Sequence, residues 1–168
     1  MTLPTVNVIK RMKKYDCLCF DFLGFSPEEG AFRLFNEWLT ENHLHLNKSK
    51  LRVFGYNHPS PSHDSNFYGY RVCVTINNQI KDLVKDRHIV HLQGGMYATM
   101  LVKSEAGQDM GKAIMISWQA FSKWLESSPY QASKRQWLEE HKGFNDDNHH
   151  IGDVILMLGI ELKPVSSL

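Results

Sequence analysis

Two aromatic stripes at one constant interval constrain this chain more than any other feature of its sequence. Phe32, Phe35, Trp38 and Leu39 recur at i, i+3, i+6 and i+7, which puts them on one face of an α-helix. Trp118, Phe121, Trp124 and Leu125 repeat the pattern, each 86 residues after its counterpart (118 − 32, for example). In a chain of 168 residues that interval is about half the length. It predicts an internal duplication, with a first half over about 1–77, a second over about 88–168, and a polar linker at 77–87 between them.

Each stripe lies within a similar run of elements. Ser26-Pro27-Glu28-Glu29 offers an N-cap, a proline in the first turn and a Glu three residues after the cap, so the first helix is expected to start there. The second helical pattern runs from about Gln108 to Glu126. Before the first helix, Tyr15 to Leu23 is dense in β-favouring residues, and Lys50 to Tyr56 and Tyr68 to Ile76 follow it across a turn-rich stretch. In the second half, His88 to Leu92 and Met96 to Lys103 precede the helix and Asp153 to Leu162 comes after it. Strand–helix–strand–strand, twice, makes an α+β chain.

Composition excludes more than it suggests. Eighteen acidic against nineteen basic residues leave no basic excess for a phosphate backbone, so no direct nucleic-acid partner is expected. The basic run Lys10-Arg11-Met12-Lys13-Lys14 reads as a solvated strand end or loop. Cys17, Cys19 and Cys73 form no CxxC pair, and MTLPTVNVIKR lacks the apolar core of a signal peptide. With no apolar run of membrane-spanning length, a cytoplasmic protein without a membrane partner is expected. His58, His63 and Asp64 share a loop but match no metal-ligand spacing, and His88, His91 and the pair His149-His150 read as exposed loop residues. Gly94-Gly95 has no phosphate-loop continuation, and no nucleophile elbow is present. Neither a cofactor nor a metal is expected.

An ordered set of short motifs resembles the gyrase-inhibitor-like (GyrI-like) small-molecule-binding domains, which also form the effector-binding half of AraC-type and MerR-type multidrug regulators. The matching residues are FGY at Phe54 to Tyr56, YGYRVCVTI at Tyr68 to Ile76, GGMYA at Gly94 to Ala98 and W-x2-F-x2-WL at Trp118 to Leu125. LEEH at Leu138 to His141 and Asp153-Val154 complete the set. The resemblance implies a duplicated βαββ fold with pseudo-twofold halves, antiparallel sheets with helices on one side, and a ligand cleft between the halves. It also implies a central glutamate at the bottom of that cleft, which falls here on Glu139, with His141 standing where the family has a tyrosine.

Taken by itself, QWLEEHK suits a helix as well as a strand. As a strand it alternates, with Trp137, Glu139 and His141 on one face and Leu138, Glu140 and Lys142 on the other, so Glu140 would face out. A carboxylate in an aromatic cleft needs a cation, a donor or a reacting group. Tyr56, Tyr68, Tyr70, Tyr97 and Trp118 fall on or near the elements that would wall such a cleft, with Tyr56, Tyr97 and Trp137 the leading wall candidates. Two chemistries stay open. One is binding of small lipophilic ligands, cations among them, in drug or toxin response or as an effector module without a DNA-binding domain of its own. The other is hydrolysis of reactive cyclopropane-bearing genotoxins, which the resemblance brings in, with Glu139 as general base. A third class, a gyrase-binding modulator acting on a protein partner, would need an exposed acidic or apolar patch.

Overall fold

The computed structural model describes residues 5–63 and 65–165, so Met1 to Pro4, Asp64 and Ser166 to Leu168 lie outside the described residues. Among the described residues, nine strands and two α-helices follow in chain order. The first half holds β1 (Val6–Met12), β2 (Tyr15–Phe25), α1 (Pro27–Glu41), β3 (Val53–Asn57) and β4 (Phe67–Thr75). The second holds β5 (Ile89–Leu92), β6 (Gly95–Val102), α2 (Met110–Ser127), β7 (Tyr130–Ala132), β8 (Leu138–His141) and β9 (Val154–Leu162). No described helix is long and apolar enough to cross a membrane.

All strand pairs are antiparallel, in the order β1-β6-β9-β8-β3-β4-β2-β5, with the short β7 paired to the far end of β9. The order reads the same from either end once each strand is matched to its repeat: β8 with β3, β9 with β4, β6 with β2 and β1 with β5. At its centre Phe54 pairs with Glu140, and these two residues are themselves 86 apart. The pseudo-twofold axis of the duplicated βαββ fold therefore passes through the β3–β8 pair. The edge strands are exchanged, since β1 pairs with β6 of the second half and β5 with β2 of the first.

Such an order cannot lie flat. Two residues separate β1 from β2, which keeps their ends within about 11 Å, yet six strand spacings between them would span roughly 29 Å. The sheet curls until its ends meet. Gly94, in the β5–β6 connection, packs so closely on Met12 and Lys14 of the β1–β2 connection that any Cβ there would strike their backbone. Inside the curl, Met12, Cys17, Phe54, Cys73, Leu92, Tyr97, Leu138 and Met157 form one buried cluster with a side chain from each of the eight strands of the path. The helices pack on the outer surface. α1 covers β2 and β4 through Phe35, Trp38 and Leu39, and α2 covers β6 and β9 through Phe121.

Two local expectations change. Ser26 does not cap α1 with its side chain, because β2 passes straight into the helix and Ser26 takes a left-handed turn (φ 51°) that swings its hydroxyl away. Asp109 does cap α2, with Oδ1 accepting from the Lys112 amide at 3.2 Å. The stretch 77–87 is no loose linker: it holds a turn of 3-10 helix at Lys81–Leu83, and Ile80 and Val84 are buried in the α1 core.

Candidate functional site

The helices leave a gap above the centre of the sheet. α1 lies over β2 and β4 and α2 over β6 and β9, so the outer face of the β3–β8 pair stands open between them. Gly55 and Glu139, opposite each other in register, form its floor. Two cavities meet there. The larger, of about 990 Å³, takes Glu28, Phe32, Tyr68, Tyr70, Trp118, Glu139 and His141 among its walls. The smaller, of about 430 Å³, is lined by Tyr56, Trp118, Trp137, Glu139 and the Lys134–Gln136 segment. Asn57, Trp118 and Glu139 belong to both.

Glu139 is held from two sides. The Tyr70 hydroxyl donates to Oε1 at 2.7 Å and the Trp118 indole N–H donates to Oε2 at 3.0 Å. Burial pushes this carboxyl above its ordinary pKa, the two donors pull against it, and the charge of Glu28 pushes it further up. Tyr70, fully buried on β4, is raised well above its ordinary value by burial first and then by Glu139, so it stays protonated and donates. His141 Nε2 lies 3.0 Å from the same hydroxyl. Burial, with the neighbouring His150, lowers His141 to about 3. The ring is therefore neutral at physiological pH, with its Nε2 proton directed to the tyrosine oxygen that gives its own proton to Glu139.

Aromatic rings supply the walls. Trp118 stacks between Trp137 (5.5 Å between ring centroids, 21°) and Phe121 (5.8 Å, 15°). On the α1 side, Phe32 meets His141 edge-on at 4.8 Å. Phe32 and Trp118, the first members of the two repeated stripes, thus face each other across the cleft. Among the described residues lining the larger cavity, Glu28, Glu29, Asp109 and Glu139 are acidic and none is Lys or Arg.

The structure sorts the sequence candidates by strand parity. Glu139, His141, Tyr70, Tyr68 and Trp118 line the larger cavity, and Trp137 and Tyr56 the smaller. Tyr97 lines neither. It points into the curl, where its hydroxyl donates to the Gln93 carbonyl at 2.9 Å and the Arg135 guanidinium sits 5.3 Å from its ring, and it borders only a separate cavity of about 150 Å³. Tyr56 stands on that same inner face, receiving a bond from Arg71 at 3.3 Å. Glu140 does not face solvent: it is 3% exposed and takes both arms of Arg52, at 2.7 and 2.8 Å. The outward face of β8 is the interior of a curled sheet. His150 is no free loop residue either, since its ring packs on His141 at 5.1 Å. In the loop that holds His58, His63 and Asp64, the two histidines are exposed and Asp64 lies outside the described residues. Sequence reasoning missed Glu28, Phe32 as a cavity wall, and Gly55.

Gly55 has a definable task. A Cβ at this position would overlap the Tyr70 hydroxyl, so only glycine lets Tyr70 reach across β3 to Glu139. Gly55→Ala is expected to cost about 2 kcal/mol by forced displacement of the ring. The overlap includes the ring carbons Cζ and Cε2 as well as the hydroxyl, so Tyr70→Leu, which removes all three atoms, should leave the double variant less destabilised than the sum of the two single ones in thermal denaturation; simple addition of the two penalties would refute the contact.

Comparison with known proteins decides the family. The model for Cass2, the integron-associated effector-binding protein, matches residues 25–155. The chain belongs to this family. Among solved structures, the integron cassette protein VCH_CASS2 from the mobile metagenome of Vibrio cholerae superposes with a TM-score of 0.51 at 13% identity, covering 93% of this chain and 95% of that one. The C-terminal domain of EcmrR gives a TM-score of 0.63 at 12% identity, over 96% of this chain and all of that domain. SAV2435, solved bound to tetraphenylphosphonium, gives 0.54 at 10% identity over 94% of each chain. At these identities the likeness concerns the fold, which is the GyrI-like one. No curated protein matches the sequence. Family membership makes this Cass2 relative a small-molecule-binding module.

Proposed function

We propose that the cleft binds lipophilic organic cations, with Glu139 as counter-charge and Trp118, Phe32 and Tyr70 as ring walls. One observation carries this reading: a carboxylate half-buried among aromatic rings, held by Tyr70 and Trp118 rather than by a cation, at the floor of a larger cavity whose described lining has no Lys or Arg, while Lys134 and Arg135 line the smaller one. A buried charge without a partner is costly, and an organic cation over ring faces would compensate it without a hydration shell. Tetraphenylphosphonium in SAV2435 is a ligand of this type on the same fold. In the cell the chain would act in drug or toxin response, by sequestering such compounds in the cytoplasm or by relaying their presence to a protein partner.

Hydrolysis with Glu139 as general base fits the geometry less well. Both carboxylate oxygens already accept a hydrogen bond from a fixed protein donor, so the carboxylate is engaged by Tyr70 and Trp118 where a general base would hold a water. The discriminating experiment uses two ions of one shape and opposite charge. Tetraphenylphosphonium should quench tryptophan fluorescence saturably and without turnover, whereas tetraphenylborate should not bind. Equal binding of both would leave the site a lipophilic pocket without charge selection.

A further inference from the structure

The larger cavity carries a second carboxylate that a single positive centre leaves uncompensated. Glu28 is half-buried in the first turn of α1, and its Oε1 accepts from the Tyr68 hydroxyl at 2.5 Å. Tyr68 and Tyr70 lie two residues apart on β4, hence on one face. Two hydroxyls on that face thus hold two carboxylates, Glu28 from the helix and Glu139 from β8, and all four residues line the same cavity.

Acidic residues in a first helical turn have an ordinary role in complementing the helix dipole, and the exposed Glu29 beside it serves that role. Glu28 differs in being held by a tyrosine inside the cleft, close enough for its charge to act on Glu139. The repeat sharpens the contrast. Eighty-six residues on from Glu28 stands Ile114, which lines the same cavity from α2. At this repeated position one helix thus contributes a charge where its counterpart contributes an apolar wall; the acid on the α2 side, Asp109, is exposed and engaged in capping its own helix.

We infer that the preferred ligand class is dicationic: an elongated molecule with one positive centre against Glu139 and a second against Glu28, its apolar body along Ile114 and Trp118. A cavity of about 990 Å³ is ample for such a molecule. This inference rests on Glu139 as counter-charge, and the test separates the two ideas. Hexamethonium and decamethonium, with a trimethylammonium at each end of an alkane, are titrated beside hexyltrimethylammonium and decyltrimethylammonium, which carry one. Tryptophan fluorescence is followed in low-salt buffer. At least one two-headed compound should bind about tenfold more tightly than its single-headed counterpart. Glu28→Gln should erase that advantage while changing single-headed affinity by less than about threefold. Single-headed compounds binding the unaltered protein as tightly as two-headed ones would overturn the inference and leave cation binding intact. No binding by any of the four would overturn both.

Discussion

Glu139→Gln is expected to lower affinity for tetraphenylphosphonium by about 100-fold or more, because it removes the one charge on the cleft floor while keeping the shape. The same substitution should raise the melting temperature of the ligand-free protein. The sign follows from the raised pKa of Glu139. A carboxyl raised in the folded state favours folding while protonated, and the fold loses that contribution as pH rises through the raised value. The gain from Gln should therefore appear above that pH and vanish below it. Cation affinity of the unaltered protein should run the other way, falling as Glu139 takes up its proton. His141, lowered to about 3, stays neutral over this range and cannot mimic the effect. A Gln variant that binds as before, or melts lower at neutral pH, would remove Glu139 from the role assigned to it.

Its neighbour should behave in the opposite manner. Glu140→Ala strips the buried partner from Arg52 and leaves the guanidinium over Tyr15 and Phe54 without a counter-charge. Loss of one member of a buried pair costs about 3–5 kcal/mol. The Arg52 side chain is 31% exposed and can recover water, so about 2 kcal/mol is expected, a fall in melting temperature of roughly 4–8 °C. Tetraphenylphosphonium affinity should stay within about twofold, since Glu140 lies on the other face of the strand. Two adjacent glutamates would thus separate cleanly, one carrying binding and the other stability. A binding loss at Glu140 equal to that at Glu139 would contradict the face assignment.

What the sequence disclosed was periodic, and what it concealed was register and curvature. The aromatic stripes announced the duplication, and the same interval recurs at the sheet centre in Phe54 and Glu140. Alternation along β8 placed Glu139 with His141 once the segment was read as a strand. Alternation also implies that the opposite face is wet, and there it misled. In a sheet curled on itself both faces are covered, which is why Tyr70 to Thr75 of β4 are buried without a break. Tyr97 was misplaced for a related reason: only the pairing of β6 with β9, Tyr97 opposite Gly159, shows which way its ring points. Gly55 carried no signal at all, because its role is an absence of atoms defined by Tyr70 from the next strand. Glu28 looked like a helix-start acid, and it required the cleft to show its second environment.

The exchanged edge strands have a consequence for how the chain reaches this state. Each repeat looks like a self-sufficient motif, yet β1 completes the sheet of the second repeat and β5 that of the first. Val6 must find Met100 before the curl can close, so much of the loop-closure entropy is spent before distant pairings reward it. A repeat made alone would present an unpaired β2 or β6 edge and an interior cluster with half its side chains missing. The motif is written twice over, but both copies share one continuous sheet, and the cleft takes its walls from each of them.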